Sequence, residues 1–220
     1  MSDVTRMILI RHGESASNAG GWLSGQDSCG GLTDLGVAQA EALRDRLAAD
    51  ESMRPDVVLV STMRRAVHTA EIISAPLGLE PEQRAELMER TSGEAEGLTI
   101  AEYTEKYGTA PWTDWENPLS PGGESGAEFA DRVIRATDQV VEDHRGKTVW
   151  VVCHGGVIMV SAVRRWPNAS DALHPLPVAS PQNTSVSEWQ VDADGVWKMA
   201  RFADDTHLVG VGGGPAGITG

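Results

Sequence analysis

Two histidines in this chain are each followed at once by glycine, and each stands at the end of an apolar run. Met7-Ile8-Leu9-Ile10 leads into Arg11-His12-Gly13-Glu14-Ser15, and Val149-Trp150-Val151-Val152-Cys153 leads into His154-Gly155-Gly156. A third run, Val57-Val58-Leu59-Val60, passes into Ser61-Thr62-Met63-Arg64-Arg65. Histidines so placed have three readings: satisfied structural residues, ligands of zinc, or a nucleophile. Zinc lacks a cysteine pair or a His-Glu-x-x-His run to complete its ligand set. A neutral imidazole can attack phosphorus and carry the phosphoryl group covalently, splitting one hard displacement into two. That step needs positive charge nearby, because negative charge spreads over the equatorial oxygens. Arg11 and one of Arg64 and Arg65 supply it, with a forked geometry that lysine lacks. His154, when protonated, adds a donor, and the amides from Gly155 onward open a helix facing the same place. The glycine after each histidine clears space where a ligand's oxygens would approach. The leaving group needs a proton, for which Glu89 is the candidate if burial raises its pKa; taken alone it reads equally as a surface carboxylate.

Elements that bring such residues together follow from the patterning. Apolar runs without alternation suit strands of a parallel sheet covered on both faces, and open α/β sheets bind ligands outside the carboxyl ends of their strands. Ala16 to Gly31 is small and Gly-rich, so Asn18, Ser24 and Gly25 are candidates for close contact with a phosphate. Helices are predicted from Asp34 to Ala49 behind Thr33, with Val37, Ala40, Leu43 and Leu47 on one face, and from Arg64 to about Ala75. The second of these carries Ala66, Ala70 and Ile73 inward. Arg84 to Leu87 reads as a short strand. Ser125-Gly126-Ala127-Glu128 is a capping box opening a helix with Phe129, Val133, Thr137 and Val140 inward, and a further helix spans Val157 to Arg165. Thr184–Val191 and Val196–Phe202 alternate as an antiparallel pair across Asp194-Gly195.

Between Thr91 and Gly123 the pattern weakens apart from a helix over Thr99–Tyr107, and an excursion of this length is read as a cap. Arg90, Tyr103, Trp112 and Trp115 are its candidate substrate-facing residues, although the same tryptophans serve equally well as cap core. The domain is taken as 1–209 with the cap inserted at about 91–123. Pro167 to Pro181 reads as a surface loop and 210–220 as a flexible Gly-rich tail.

The chain has 220 residues with 18 Lys and Arg against 32 Asp and Glu, a formal charge of −14, which disfavours nucleic acid and anionic membrane as partners. No apolar run has the length of a membrane span, and the two cysteines, Cys29 and Cys153, read as reduced thiols of a cytoplasmic protein.

Arg11-His12-Gly13-Glu14-Ser15 resembles the signature of the histidine phosphatase superfamily, the phosphoglycerate-mutase-like enzymes of branch 1. Further matches follow in order: Leu32-Thr33-Asp34-Leu35-Gly36, Ser61-Thr62-Met63-Arg64-Arg65-Ala66, Leu87-Met88-Glu89-Arg90 and Glu96-Gly97-Leu98-Thr99. Pro121-Gly122-Gly123-Glu124-Ser125, His154-Gly155-Gly156 and Asp205-Thr206-His207-Leu208 complete the set. The resemblance implies a three-layer α/β sandwich with a mostly parallel sheet, and chemistry without metal or other cofactor. By it His12 is the phosphorylated nucleophile, Arg65 is selected over Arg64, and Arg11, Arg65, His154 and Gly155 line the phosphate pocket. Glu89 becomes the general acid, and Asn18, Ser24 and Gly25 further phosphate contacts. The acid-phosphatase and phytase branch expects Arg and Pro after its first motif and Asp after its second histidine, where Glu14-Ser15 and Gly155 stand here.

True mutases carry a basic cluster in the cap, whereas Trp112 to Asn117 is acidic and aromatic. The expected activity is therefore a phosphomonoesterase acting on a small organic monophosphate with an apolar, neutral or cationic leaving group, releasing inorganic phosphate. A phosphoglycerate-mutase-type phosphotransferase and an inactive phosphate-binding regulator are the alternatives, and a homo-oligomer is left open.

Overall fold

The computed structural model describes residues 4–165 and 181–211. The predicted loop at 167–180 and the tail from 212 onward lie outside these residues. A six-stranded sheet with order β3-β2-β4-β1-β5-β6 forms the middle layer. Strand β1 (Thr5–Arg11) pairs in parallel with β4 (Thr148–Cys153) and antiparallel with β5 (Val186–Val191). Strand β2 (Val57–Ser61) lies parallel to β4 on one side and to the short β3 (Glu82–Arg84) on the other. Strand β6 (Trp197–Asp204) closes the antiparallel edge.

Strands β1, β2 and β4 lack alternation because both faces are covered. Met7, Leu9, Val149 and Val151 pack with Phe129, Val133 and Val140 of α5 (Gly126–Asp143) and Val157 and Ile158 of α6 (Gly155–Arg165). Ile8, Ile10, Val58, Val60 and Val152 point the other way, onto Leu43 and Leu47 of α2 (Asp34–Ala49) and Ala66, Ala70 and Ile73 of α3 (Arg64–Ser74). Each fully buried Leu, Ile or Val contributes about 1.5–3 kcal/mol, so this two-sided core fixes the register of all three strands.

Four boundaries depart from the expectation. A five-residue helix, α1 (Ala16–Gly20), occupies part of the region read as loop, because Ser15 and Asn18 form a reciprocal cap. The stretch 84–87 is not one strand: β3 ends at Arg84, and Ala85–Leu87 make a single 3₁₀ turn. Helix α6 begins two residues earlier than expected, at Gly155. Strand β5 starts only at Val186, since Thr184 sits at φ 58°, a left-handed conformation that interrupts the extended backbone.

The excursion at 91–123 holds α4 (Ile100–Tyr107), capped by a Thr99/Glu102 box, and a small core of its own. Leu23, Ala95, Tyr103 and Leu119 are buried in that core, with Trp112 and Tyr107 packed against them. Backbone bonds Leu23 N–H to Leu98 O (2.8 Å) and Gly97 N–H to Leu23 O (2.7 Å) tie it to the segment after α1. None of the described helices is long and apolar enough to cross a membrane.

Candidate active site

Strands β1, β2 and β4 end side by side, so the residues that follow them meet at one edge. His12, Arg11, Arg65 and His154 are all buried there, none more than 2% exposed. The two imidazole centroids lie 5.1 Å apart with planes 60° from parallel. Arg65 Nε donates to His12 Nε2 at 3.0 Å, and its Nη1 donates to Ser24 Oγ at 3.0 Å. Cys29 Sγ accepts from the Arg65 backbone N–H at 3.3 Å and from Nη1 at 3.5 Å. Arg11 Nη1 donates to the Pro181 carbonyl.

The hydrogen bonds of His12 determine its tautomer. Nδ1 lies 2.7 Å from the Gly13 carbonyl, which can only accept, so Nδ1 carries the proton. Nε2 therefore keeps a lone pair, and the guanidinium donor facing it agrees. Burial, then the charges of Arg65 and Arg11, hold the His12 pKa well below the ordinary histidine value. His154 is depressed likewise by burial and then Arg65, so it does not meet the expectation of a protonated donor. Its Nε2 lies 2.8 Å from Ser61 Oγ, which also accepts from Met63 N–H at 3.3 Å; either atom of the Ser61–His154 pair can be the donor. With the Ser61 hydroxyl donating, the ring proton sits on Nδ1, which is buried and has no partner among the described residues. Burial lowers Arg11 to about 10, against the opposing charge of Glu89, so it remains a cation at neutral pH.

Glu89 is 5% exposed. Its Oε1 accepts from Arg90 N–H at 3.0 Å and its Oε2 from Gly156 N–H at 2.9 Å. The first free amides of α6 were expected to face a ligand; the Gly156 amide instead fixes Glu89. Gly13 has a different purpose from the one expected, and the neighbouring Gly156 shares it. A Cβ at Gly156 would collide with Glu89 Oε1, and one at Gly13 would press on the Gly36 carbonyl of α2. Both clear space for the protein's own atoms. Gly155 is buried as the first residue of α6.

Around the phosphate candidates, Asn18 Oδ1 accepts from Ser15 N–H (3.2 Å), Ser15 Oγ–H (3.0 Å) and Asn183 Nδ2 (3.3 Å), so this oxygen holds the loop. The Gly25 amide donates to Ser28 Oγ at 3.2 Å. In the cap, Tyr103 O–H donates to the Leu119 carbonyl at 2.7 Å. Arg90 donates to the carbonyls of Glu124 (3.0 Å) and Asn117 (2.9 Å), and it lies 5.4 Å from the Trp115 ring centre. Trp112 packs in the cap core, and Trp115 packs against the main core. Trp112 and Trp115 thus help build the cap and seat it on the main core, and Asp114 accepts from the amides of Glu116 and Asn117 at 3.0 Å.

One residue that holds the Glu89 segment carries no local signal in the sequence. Arg132 of α5 pairs with both carboxylate oxygens of Glu124 at 2.7 Å and donates to the carbonyls of Glu86, Met88 and Glu89. It clamps the segment that presents Glu89, yet on a helical wheel it reads as a surface arginine. Among the described residues no three His, Cys, Asp or Glu side chains are grouped as a metal ion requires.

A family model for the histidine phosphatase superfamily, branch 1, matches residues 7–205. The chain belongs to that superfamily, as a phosphatase on the phosphoglycerate-mutase-like fold. It is 36% identical over 217 residues to a metal-independent phosphoserine phosphatase of Arabidopsis thaliana, covering 96% of this chain and 86% of that protein. It is 35% identical over 187 residues to a 2,3-bisphosphoglycerate-dependent phosphoglycerate mutase of Mycobacterium tuberculosis, covering 70% and 74%. Among solved structures, Bacillus stearothermophilus YhfR superposes with a TM-score of 0.76 at 29% identity, over 93% of this chain and 99% of that one.

Proposed function

We propose that this phosphatase hydrolyses a small organic phosphomonoester through a phosphohistidine at His12, with no metal taking part. The observation that carries the reading is the His12 tautomer: Nδ1–H tied to the Gly13 carbonyl and a lone pair on Nε2 among guanidinium groups. In the free protein Arg65 Nε covers that lone pair, so an incoming phosphate must draw the guanidinium onto its own oxygens. Nε2 then attacks phosphorus in line with the ester oxygen, the P–O bond breaks, and the alcohol leaves with a proton from Glu89. Water attacks the phosphohistidine and gives its proton back to Glu89. The N–P bond breaks, and inorganic phosphate departs with His12 neutral again. Arg11, Arg65 and the Nδ1–H of His154 stabilise the equatorial oxygens, with Ser24 holding Arg65 in place. Asn18, Gly25 and Gly155 complete the proposed phosphate contacts, and Arg90, Tyr103, Trp112 and Trp115 shape the cap over them.

The Arabidopsis relative makes phosphoserine the first substrate to assay. Phosphate release from phosphoserine, 3-phosphoglycerate and p-nitrophenyl phosphate tests the reading. Activity should persist in chelator and fall on the order of 10⁴-fold in His12→Ala. Turnover that survives in His12→Ala would overturn the mechanism. The mycobacterial mutase at 35% identity favours a second reading, phosphoryl transfer between phosphoglycerates. Assays on one preparation separate the two, since a mutase interconverts 2- and 3-phosphoglycerate faster than it releases phosphate. The two reduced thiols, Cys29 and Cys153, support a cytoplasmic location.

A further inference from the structure

The Asp205-Thr206-His207-Leu208 motif has no place in the mechanism above, and the 3₁₀ turn that carries it (Thr206–Leu208) follows β6. His207 lies between Arg46 of α2 and Thr184. Arg46 Nη1 is 3.3 Å from His207 Nδ1, and an arginine can only donate, so Nδ1 is the acceptor. The ring proton is therefore on Nε2, which donates to Thr184 Oγ1 at 2.9 Å. That hydroxyl in turn donates to the Asn183 carbonyl at 2.7 Å. The result is a one-way chain of donors. Arg46 also pairs with Asp204, which fixes the guanidinium that orients the ring.

Thr184 is the residue with something to be held. It is fully buried, β-branched and at φ 58°, where a Cβ crowds the main chain. This conformation aims two donors at one atom. Thr184 N–H donates to the His12 carbonyl at 3.2 Å, and Asn183 Nδ2 donates to the same oxygen at 3.0 Å. The His12 N–H is already anchored on the Cys153 carbonyl at 3.0 Å. The next carbonyl, that of Gly13, accepts from the His12 ring. Displacement of the His12 carbonyl would shift Gly13 and with it the Gly13 carbonyl that sets the tautomer.

We propose that His207 is a positioning residue: through Thr184 it locks the 183–184 turn onto the His12 carbonyl, and so orients the His12 imidazole. The inference rests on the reading of His12 as nucleophile and adds a remote group that keeps it aimed. Burial, then the Arg46 charge, lowers the His207 pKa to about 4, in keeping with the neutral ring this geometry needs.

The test is a double-mutant comparison. His207→Ala should lower kcat about tenfold or more with KM changed little, because a misaimed nucleophile loses alignment rather than binding. His207→Gln, which offers an acceptor to Arg46 and a donor to Thr184, should recover most of the loss. In a Thr184→Gly background, where the left-handed turn needs no support, His207→Ala should have less than about a threefold effect against its own parent. Equal losses in both backgrounds, or a lowered melting temperature at unchanged kcat, would overturn the proposal. Independently of turnover, ¹⁵N shifts of the His12 ring read its tautomer, which should loosen in His207→Ala and stay fixed in His207→Gln. A wild-type protein that releases no phosphate would count against the phosphatase reading. An active wild type with an unaltered His12 tautomer in His207→Ala would count against this one.

Discussion

At the ends of β1, β2 and β4, polar side chains are buried beside one another: His12 with Arg65 Nε on its lone pair, and His154, whose ring centre lies 5.1 Å from that of His12 and whose Nδ1 has no partner among the described residues. In the cap the polar side chains are turned onto the cap's own main chain. Tyr103 holds the Leu119 carbonyl, Arg90 those of Glu124 and Asn117, and Ser120 that of Ser92. Glu96 instead accepts from the amides of Asp27 and Ser28, which ties the cap to the segment after α1. The pocket can leave polar groups poised because a two-sided apolar core holds its strands; the cap, with a core of four buried side chains, uses its polar groups to hold itself. Residue type alone therefore says little about whether a cap side chain meets the substrate.

Substitutions on the two sides should differ in kind. After His12→Ala, the largest effect is expected from Arg65→Ala, which on the proposed mechanism removes a donor to the transferring group as well as the brace on His12. Its kcat should fall on the order of 10²–10³-fold at nearly unchanged melting temperature; a change confined to KM would contradict the role. Next comes Gly156→Ala, whose methyl would push Glu89 out of place. Turnover of alkyl phosphates should drop about 10²-fold, while p-nitrophenyl phosphate, whose leaving group needs no proton, should be hit far less. Equal losses on both substrates would remove Glu89 from the acid role.

The buried histidines supply a pH signature. His12 and His154 are both held below the ordinary value of 6.5 in the fold, so below that pH the unfolded chain binds more protons. Their stabilising contribution is complete above pH 6.5 and is lost as pH falls toward the folded-state values. The slope should approach about 1.4 kcal/mol per pH unit for each ring. Urea midpoints measured from pH 7.5 to 5 should fall accordingly, and more shallowly in His154→Gln. The smallest effect belongs to the cap: Tyr103→Phe should cost about 1 kcal/mol of stability and leave kcat within about twofold. A large loss of turnover there would mean that the cap does touch the reacting group.

Strand runs without alternation, the faces of α2, α3 and α5, the Ser125 cap box and the delivery of His12, His154 and one of Arg64 and Arg65 to one edge were all legible in the sequence, while the choice of Arg65 came from the family resemblance. Those features rest on unbroken apolar runs, on the 3.6-residue period of the helices and on burial, which neighbouring residues specify by themselves. Tertiary structure alone decided whom each polar group bonds. Gly13 makes way for Gly36, Gly156 for Glu89, Arg132 grips the Glu89 segment, and Thr184 takes a left-handed turn under His207. A hydrogen bond needs atoms within about 3 Å, and these partners lie in segments far apart along the chain. No local pattern records such a distance; only the packed sheet and helices set it.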